Sequence, residues 1–193
     1  NYAKKDWERL IHRITKAGKR VIISFPFCMP ENWTFTCHDT IDYLINSWEM
    51  LAYMRTYKLS GKSNLDSNMY VVNQHAWKTY QKLYKMDGFT CHQDASIPVY
   101  EGGMRIVYGR IPMMITKGCL NRTLGMCNGK MEPKKIQNPK KDEFLVVNHC
   151  DYCYNMVYTS EPVRERNITQ NMRFVFTTET REEVGKVLRE WKL

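Results

Sequence analysis

Lys19-Arg20-Val21-Ile22-Ile23-Ser24-Phe25-Pro26 is the stretch on which the fold turns. Its apolar residues are β-branched and consecutive, the signature of a short strand buried on both faces. Pro26 and Pro30 stop it, because proline cannot donate to a ladder. Upstream, after a short lead, Asp6-Trp7-Glu8-Arg9-Leu10-Ile11-His12-Arg13-Ile14 reads as a helix. Gly18 follows as its C′ glycine, with Lys16 in the last turn. Downstream, Asp39 to Leu44 and Trp48 to Thr56 read as helical, the latter with Trp48, Leu51 and Ala52 on one face. Gly61 and Ser63 mark a turn. Asn68 to Val72 reads as a strand, and Gln74 to Lys85 as a helix with Ala76, Tyr80 and Leu83 spaced for burial. Gly88 ends that helix, and Phe89-Thr90-Cys91 is a further short strand.

Strand, helix, strand, helix is the alternation of βα units on a parallel sheet. Arg105 to Gly109 and Pro112 to Ile115 continue as strands. Residues 117–141 read as irregular and polar, with Pro133 and Pro139. Glu143 to Val147 and Met172 to Thr177 are strand-like. Arg181 to Trp191 closes as a helix, with Thr180 and Glu183 spaced as a capping box. The expected organisation is a run of βα units over residues 1–116, then a cysteine-rich extension over 117–193.

Composition sets the bounds. The chain has 193 residues, 29 Lys and Arg against 20 Asp and Glu, a net charge of +9, and 12% aromatic residues. That is globular rather than disordered. The apolar runs are strand-sized, far short of the roughly 18 residues a membrane helix needs, so no membrane is expected. The seven Cys are too sparse for a small secreted disulfide scaffold. Three Asn-x-Thr sequons, at Asn32, Asn121 and Asn167, then read as chance. The expected setting is cytoplasmic and reducing. A start so close to a helix suggests a piece of a longer chain, whose N-terminal part would be a partner of this one.

Four of the seven Cys crowd together as Cys119-x7-Cys127-x22-Cys150-x2-Cys153. Four thiolates satisfy tetrahedral zinc or the four irons of a cubane cluster, and their spacing does not choose between the two. The Cys150–Cys153 pair is the sharper half, since two intervening residues let both sulfurs face one ion. Gly118, Gly125 and Gly129 leave backbone amides room near the first pair. His149 is a neighbour and a further candidate ligand. The competing reading is four buried or idle thiols.

Polar residues recur where strands end, which is where barrel enzymes place their chemistry. These are Asn46 with Glu49, then Asp66, Asn68 and Asn73, then His92, Gln93 and Asp94. A solvated loop explains each of them singly. Lys134-Lys135 and Lys140-Lys141 form a basic segment, either simply solvated or in contact with nucleic-acid phosphates.

Several segments, in order, resemble the collagenase-like U-32 peptidase family. They are Lys19-Arg20-Val21 through Phe25-Pro26, Asn46-Ser47-Trp48-Glu49, Asp66 through Tyr70 to Asn73, and Val107-Tyr108-Gly109-Arg110-Ile111-Pro112 leading to Cys119. Asp151-Tyr152-Cys153-Tyr154-Asn155 and Arg173-Phe174-Val175-Phe176-Thr177-Thr178-Glu179 complete the set. The resemblance covers about residues 19 to 190. It implies a TIM-like βα barrel, of which this chain would hold the second half with the cysteine-rich extension. It also implies a peptidase activity or, as in some relatives, a four-cysteine iron–sulfur cluster used in hydroxylating RNA bases or quinone precursors. The chain departs from the family pattern at Met104, where a Glu is usual, and at Pro112, where many members have Cys. Asp94 stands where Glu is usual, and the Leu-x-Asp-Arg segment is degenerate at Ile136-Gln137-Asn138-Pro139.

Three functions follow as expectations. One is a peptidase using Asp94, His92, Asp66 and Asn73, although no HExxH or GxSxG motif is present. The second is an enzyme with a 4Fe–4S cluster on Cys119, Cys127, Cys150 and Cys153, acting on RNA or a small aromatic. The third is a zinc-stapled binding domain without catalysis. A peptide or an RNA is the expected substrate.

Overall fold

Ile41, Tyr43 and Ile45 are completely buried, and they alternate along one short segment. That alternation places all three on one face of a strand and sets the architecture around them. The computed structural model describes residues 4–28, 41–59, 61–93, 103–168 and 171–192. They fall into two compact units, 1–105 and 106–193.

In the first unit, helix α1 (Lys4–Lys16) precedes strand β1 (Val21–Ser24). Then come β2 (Ile41–Ile45), α2 (Trp48–Tyr57), β3 (Ser63–Leu65), α3 (Gln74–Tyr84), β4 (Gly88–Thr90) and the start of β5 (Gly103–Gly109). The strands pair in parallel in sequence order, β1-β2-β3-β4-β5. Such an order, with α2 and α3 as crossovers, is the winding of a barrel; a doubly wound sheet reverses its order midway. The result is a mixed α/β unit whose parallel sheet curls into a half-barrel, compatible with part of a βα barrel.

The two faces of this sheet differ in chemistry. Ile41, Tyr43, Ile45, Leu65 and Phe89 join Ile11, Met50, Leu51, Met54, Trp77 and Tyr80 from the helices in one apolar core. Trp77 of α3 lies against Phe89 at 4.8 Å between ring centroids. The opposite face carries Leu44, Asn46, Asn64, Asp66 and Thr90, all buried.

The helices are fixed at their ends by the residues that precede them. Ser47 Oγ accepts from Met50 N and Asn73 Oδ1 accepts from Ala76 N, each closing an N-terminus. Lys58 and Lys85 close the C-termini of α2 and α3 in the left-handed conformation.

Several expectations are corrected here. Ile41–Ile45 is a strand, not the end of a helix over 39–44; its three β-branched or aromatic residues gain burial only when period-two alternation aims them at α2 and α3. Asp39 and Thr40 lie outside the described residues. The next strand is Ser63–Leu65 rather than Asn68 to Val72, where Ser67–Met69 forms a 3₁₀ turn. Helix α2 buries Met50, Leu51 and Met54, while Trp48 is 61% exposed. Helix α3 buries Trp77 and Tyr80 and leaves Leu83 exposed.

The second unit is built mainly on an antiparallel sheet. Strands β6 (Pro112–Thr116), β7 (Pro133–Gln137), β8 (Glu143–His149) and β9 (Tyr154–Thr159) lie in the order β6-β9-β8-β7. Helix α4 (Leu120–Thr123) and strand β7 occupy the span expected to be irregular. The rest of β5 pairs with β10 (Val163–Arg164) and with β11 (Met172–Val175), and helix α5 (Arg181–Glu190) follows. The capping box is formed: Glu183 N donates to Thr180 Oγ1 at 3.3 Å, and Thr180 N donates to Glu183 Oε2 at 2.7 Å. Trp191 meets Phe174 edge-on at 5.3 Å.

Candidate functional site

The C-terminal ends of β2, β3 and β4 stand side by side. Ile45, Leu65, Phe89 and Gly103 are register partners across the strands. One residue further on, Asn46, Asp66, Thr90 and Met104 therefore share a level on the face away from the helices. Asn46 is 3% exposed, and its Nδ2 donates to Phe25 O at 2.5 Å, tying the end of β2 to the end of β1. Its Oδ1 is buried with no hydrogen-bond partner among the described residues, as are Asn64 Nδ2 and Gln93 Nε2. Native interiors pair such atoms with protein, water or a ligand.

Asp66 accepts from Ser67 N at 2.7 Å, which starts the 3₁₀ turn. That turn ends at Tyr70 in the left-handed conformation, φ 51°. Tyr70 is largely exposed and stacks on His92, with ring centroids 4.6 Å apart. The strand ends thus offer a carboxylate, buried amides and an aromatic platform. Cys91, directly after β4, is buried. Burial pushes its thiol up from the usual range, only partly offset by the Arg105 charge and a backbone hydrogen bond, which makes it a poor nucleophile.

The sequence candidates distribute as follows. Asp66 and His92 belong to this edge. Asn73 caps α3 through its side-chain oxygen and is exposed. Asp94 lies outside the described residues. Asn64 and Thr90 join this edge from outside the sequence candidates, and Tyr70 joins it from the Asp66–Asn73 segment. The signal for the first lay in Ser63-Asn64-Leu65, where the polar residue takes the face opposite the apolar core.

The second constellation lies in the second unit. Strands β8 and β9 form a hairpin whose tip is the 3₁₀ turn Cys150–Tyr152, closed by Cys153 at φ 50° with its N–H donating to Cys150 O. The two-residue gap thus becomes one turn of backbone with both thiols at its ends. Cys119 sits at the start of α4, where its carbonyl accepts from Thr123 N and Thr123 Oγ1. Cys150 Sγ contacts Lys130 O at 3.1 Å, which brings the segment after Cys127 to the hairpin tip.

Burial pushes the Cys150 thiol up. Cys127 and Cys119, then Asp151 and Cys153, push it the same way by charge. The other three thiols therefore lie within electrostatic reach of Cys150. Among the described residues no three His, Cys, Asp or Glu side chains stand in the arrangement that holds a metal ion directly. The thiols are gathered but not closed. None of the described cysteines forms a disulfide.

His149 stacks on Tyr154 at 4.5 Å, and its Nε2 is buried without a partner. Burial lowers its basicity, favouring the neutral ring. The basic segment is not a loop throughout. Lys134 and Lys135 are on β7, Lys134 Nζ donates to the buried Asn121 Oδ1 at 2.6 Å, and Lys135 pairs with Glu143 at 3.6 Å. No helix among the described residues is long and apolar enough to cross a membrane.

No family model, no curated protein and no solved structure matches this chain.

Proposed function

We propose that this chain is part of a βα-barrel enzyme of the collagenase-like U-32 type, whose second unit holds a 4Fe–4S cluster on Cys119, Cys127, Cys150 and Cys153. The observation that carries this reading is the hairpin tip, one tight turn with Cys150 and Cys153 at its ends, to which the contact of Cys150 Sγ with Lys130 O brings the segment after Cys127. The donor set fits the group in type and number: four soft sulfur ligands, two of them at the ends of one tight turn. A bound cluster supplies one-electron chemistry, whereas zinc held by four thiolates is closed to substrate and supplies folding energy alone. The strand ends of the first unit supply the binding groups: Asp66, the buried amides of Asn46 and Asn64, and the Tyr70–His92 stack. These suit a planar, hydrogen-bonding substrate such as an RNA base or a small aromatic.

The test is an iron, acid-labile sulfide and zinc assay on anaerobically prepared protein, with its visible spectrum. Stoichiometric iron and sulfide with visible absorption supports the proposal. A colourless protein with stoichiometric zinc turns the unit into a structural staple. Hydrolysis of casein or gelatin that Asp66→Asn or His92→Ala abolishes, and that the cysteine variants leave intact, replaces the proposal by peptide hydrolysis.

A further inference from the structure

Strand β6 is an edge of the antiparallel sheet. It pairs with β9 on one side, and among the described residues no strand pairs with its other side. Successive side chains on a strand point to opposite faces. Met113, Met114 and Ile115 are nonetheless all exposed, at 57%, 55% and 41%. Both faces of β6 are therefore open as well as its backbone edge. Such an edge is a template for a further strand, and proteins blunt it with lysine, proline or a covering chain. The opposite edge of this sheet follows that rule: β7 begins at Pro133 and carries Lys134 and Lys135. On β6 only Pro112 does so, at the first position, and the residues after it carry no charge.

Charge decides what kind of strand fits. Arg110 precedes β6 and Lys117 follows it, with Arg122 and Lys130 next in the chain, and no Asp or Glu occurs from Ile106 to Met131. The edge is thus an apolar centre between two cations. Arg110 also lies within electrostatic reach of Glu183, so the exposed Lys117 is the stronger anchor for an anion. A second copy of the chain matches this edge poorly. Antiparallel pairing of two β6 strands about Met114 sets Lys117 of one copy opposite Ile111 of the other, one residue from its Arg110. Like charges that close oppose strand pairing, and the net charge of +9 on each chain adds a general repulsion. A segment with apolar residues between acidic ends meets every group. Its backbone continues the ladder, its carboxylates face the flanking cations, and the flexible thioethers of Met113 and Met114 adapt to its side chains.

We propose that β6 is a docking edge, which takes an extended, acidic-ended apolar segment of another polypeptide as the next strand of this sheet. The inference stands apart from the thiols and from the strand-end groups of the first unit.

The experiment uses the full chain and a set of fluorescent peptides read by anisotropy. The first peptide has alternating valine and threonine between pairs of glutamate. The second has lysine in place of glutamate, and the third is the first with proline in place of threonine. The glutamate peptide should bind, more weakly as salt is raised, and should slow amide exchange at Met113–Ile115. The lysine peptide, opposed by like charge, and the proline peptide, which lacks the N–H donors, should bind about tenfold more weakly or worse. Met114→Lys places a guard on the edge; it should weaken the glutamate peptide by about tenfold or more and leave the melting temperature as it was. Lys117→Glu should reverse the preference between the glutamate and lysine peptides. If Met114→Lys does not fold, that reversal decides alone. Equal binding of those two peptides, or binding of neither, overturns the proposal. Dimerisation in sedimentation that Met114→Lys abolishes also overturns it, because a second copy is then the occupant. Binding to phosphatidylserine vesicles that Met114→Lys abolishes, with no peptide bound, overturns it in favour of a lipid surface.

Discussion

Asn73 shows how one side chain can satisfy two readings. Its sequence position, beyond a presumed strand, makes it a candidate for catalysis. Its Oδ1, at 2.8 Å from Ala76 N, caps α3 instead. Asn73→Ala should destabilise the chain by about 1 kcal/mol and Asn73→Ser by much less, since serine caps nearly as well. Chemical denaturation of the three proteins checks this. A large loss of activity in Asn73→Ser with unchanged stability would return the residue to the active site. Gly61 is the sharper backbone case. Its φ of 118° is open to glycine, and a Cβ there would run into the Ile41 carbonyl and crowd the Tyr43 ring. Gly61→Ala should therefore destabilise the chain by more than about 1 kcal/mol, where the same change at a compatible backbone would stabilise it, with the loss read in the same denaturation experiment. The residue scale is also where sequence reading falls short at the strand ends. Asn64 and Thr90 are buried polar residues, and nothing local distinguishes a polar residue on the face away from the helices from one in a loop.

At the scale of elements, legibility follows the strength of the local signal. Helices α1 and α5 carry their end signals in the chain, Gly18 for the first and both halves of the capping box for the second, whereas α2 and α3 are legible as helices but not in their buried faces, since Trp48 and Leu83 are exposed. Strand β1 is a continuous apolar run bounded by proline. Strand β2 reads as helix because Leu44 breaks the alternation of Ile41, Tyr43 and Ile45, which only parallel pairing with β1 and β3 makes plain. Strand β3 has three residues and one apolar side chain, too little for any period.

The capping box makes a prediction about acidity. Hydrogen bonds from Thr180 hold the Glu183 carboxyl below its usual range. A depressed carboxylate pKa stabilises the fold above the unfolded-state value, and that contribution is lost as pH falls through the folded one. Fraying of α5 should thus begin in the acid range below the ordinary glutamate pKa, and Glu183→Gln should flatten that dependence. Amide exchange across Arg181–Glu190 as a function of pH measures it. The core has its own test. Phe89 is completely buried and packs on Trp77, so Phe89→Ala should cost about 3–5 kcal/mol.

At the scale of the whole chain, the two units owe their stability to different sources. The first has a continuous apolar core from Ile11 to Cys91, built of helix and strand residues together. The second buries Leu145, Val146, Val147, Met156 and Val157 in its antiparallel sheet, yet it also buries Asn121, Asn148 and Asn155. Asn148 and Asn155 there keep side-chain atoms without a partner among the described residues. A ligand that binds only the folded form stabilises it in proportion to the logarithm of its excess over Kd, and thiolate metal sites couple binding to folding strongly. On the proposed four-thiolate reading, metal removal should act locally. With a strong chelator, or in Cys153→Ser, amide protection along Leu145–His149 and Tyr154–Val157 should fall, while that of Ile41–Ile45 and Phe89 stays as it was. Hydrogen exchange with and without metal measures both regions in one sample. Equal loss in both units would mean that the centre supports the whole chain, and no loss in either would mean that the four cysteines hold nothing on which the fold depends.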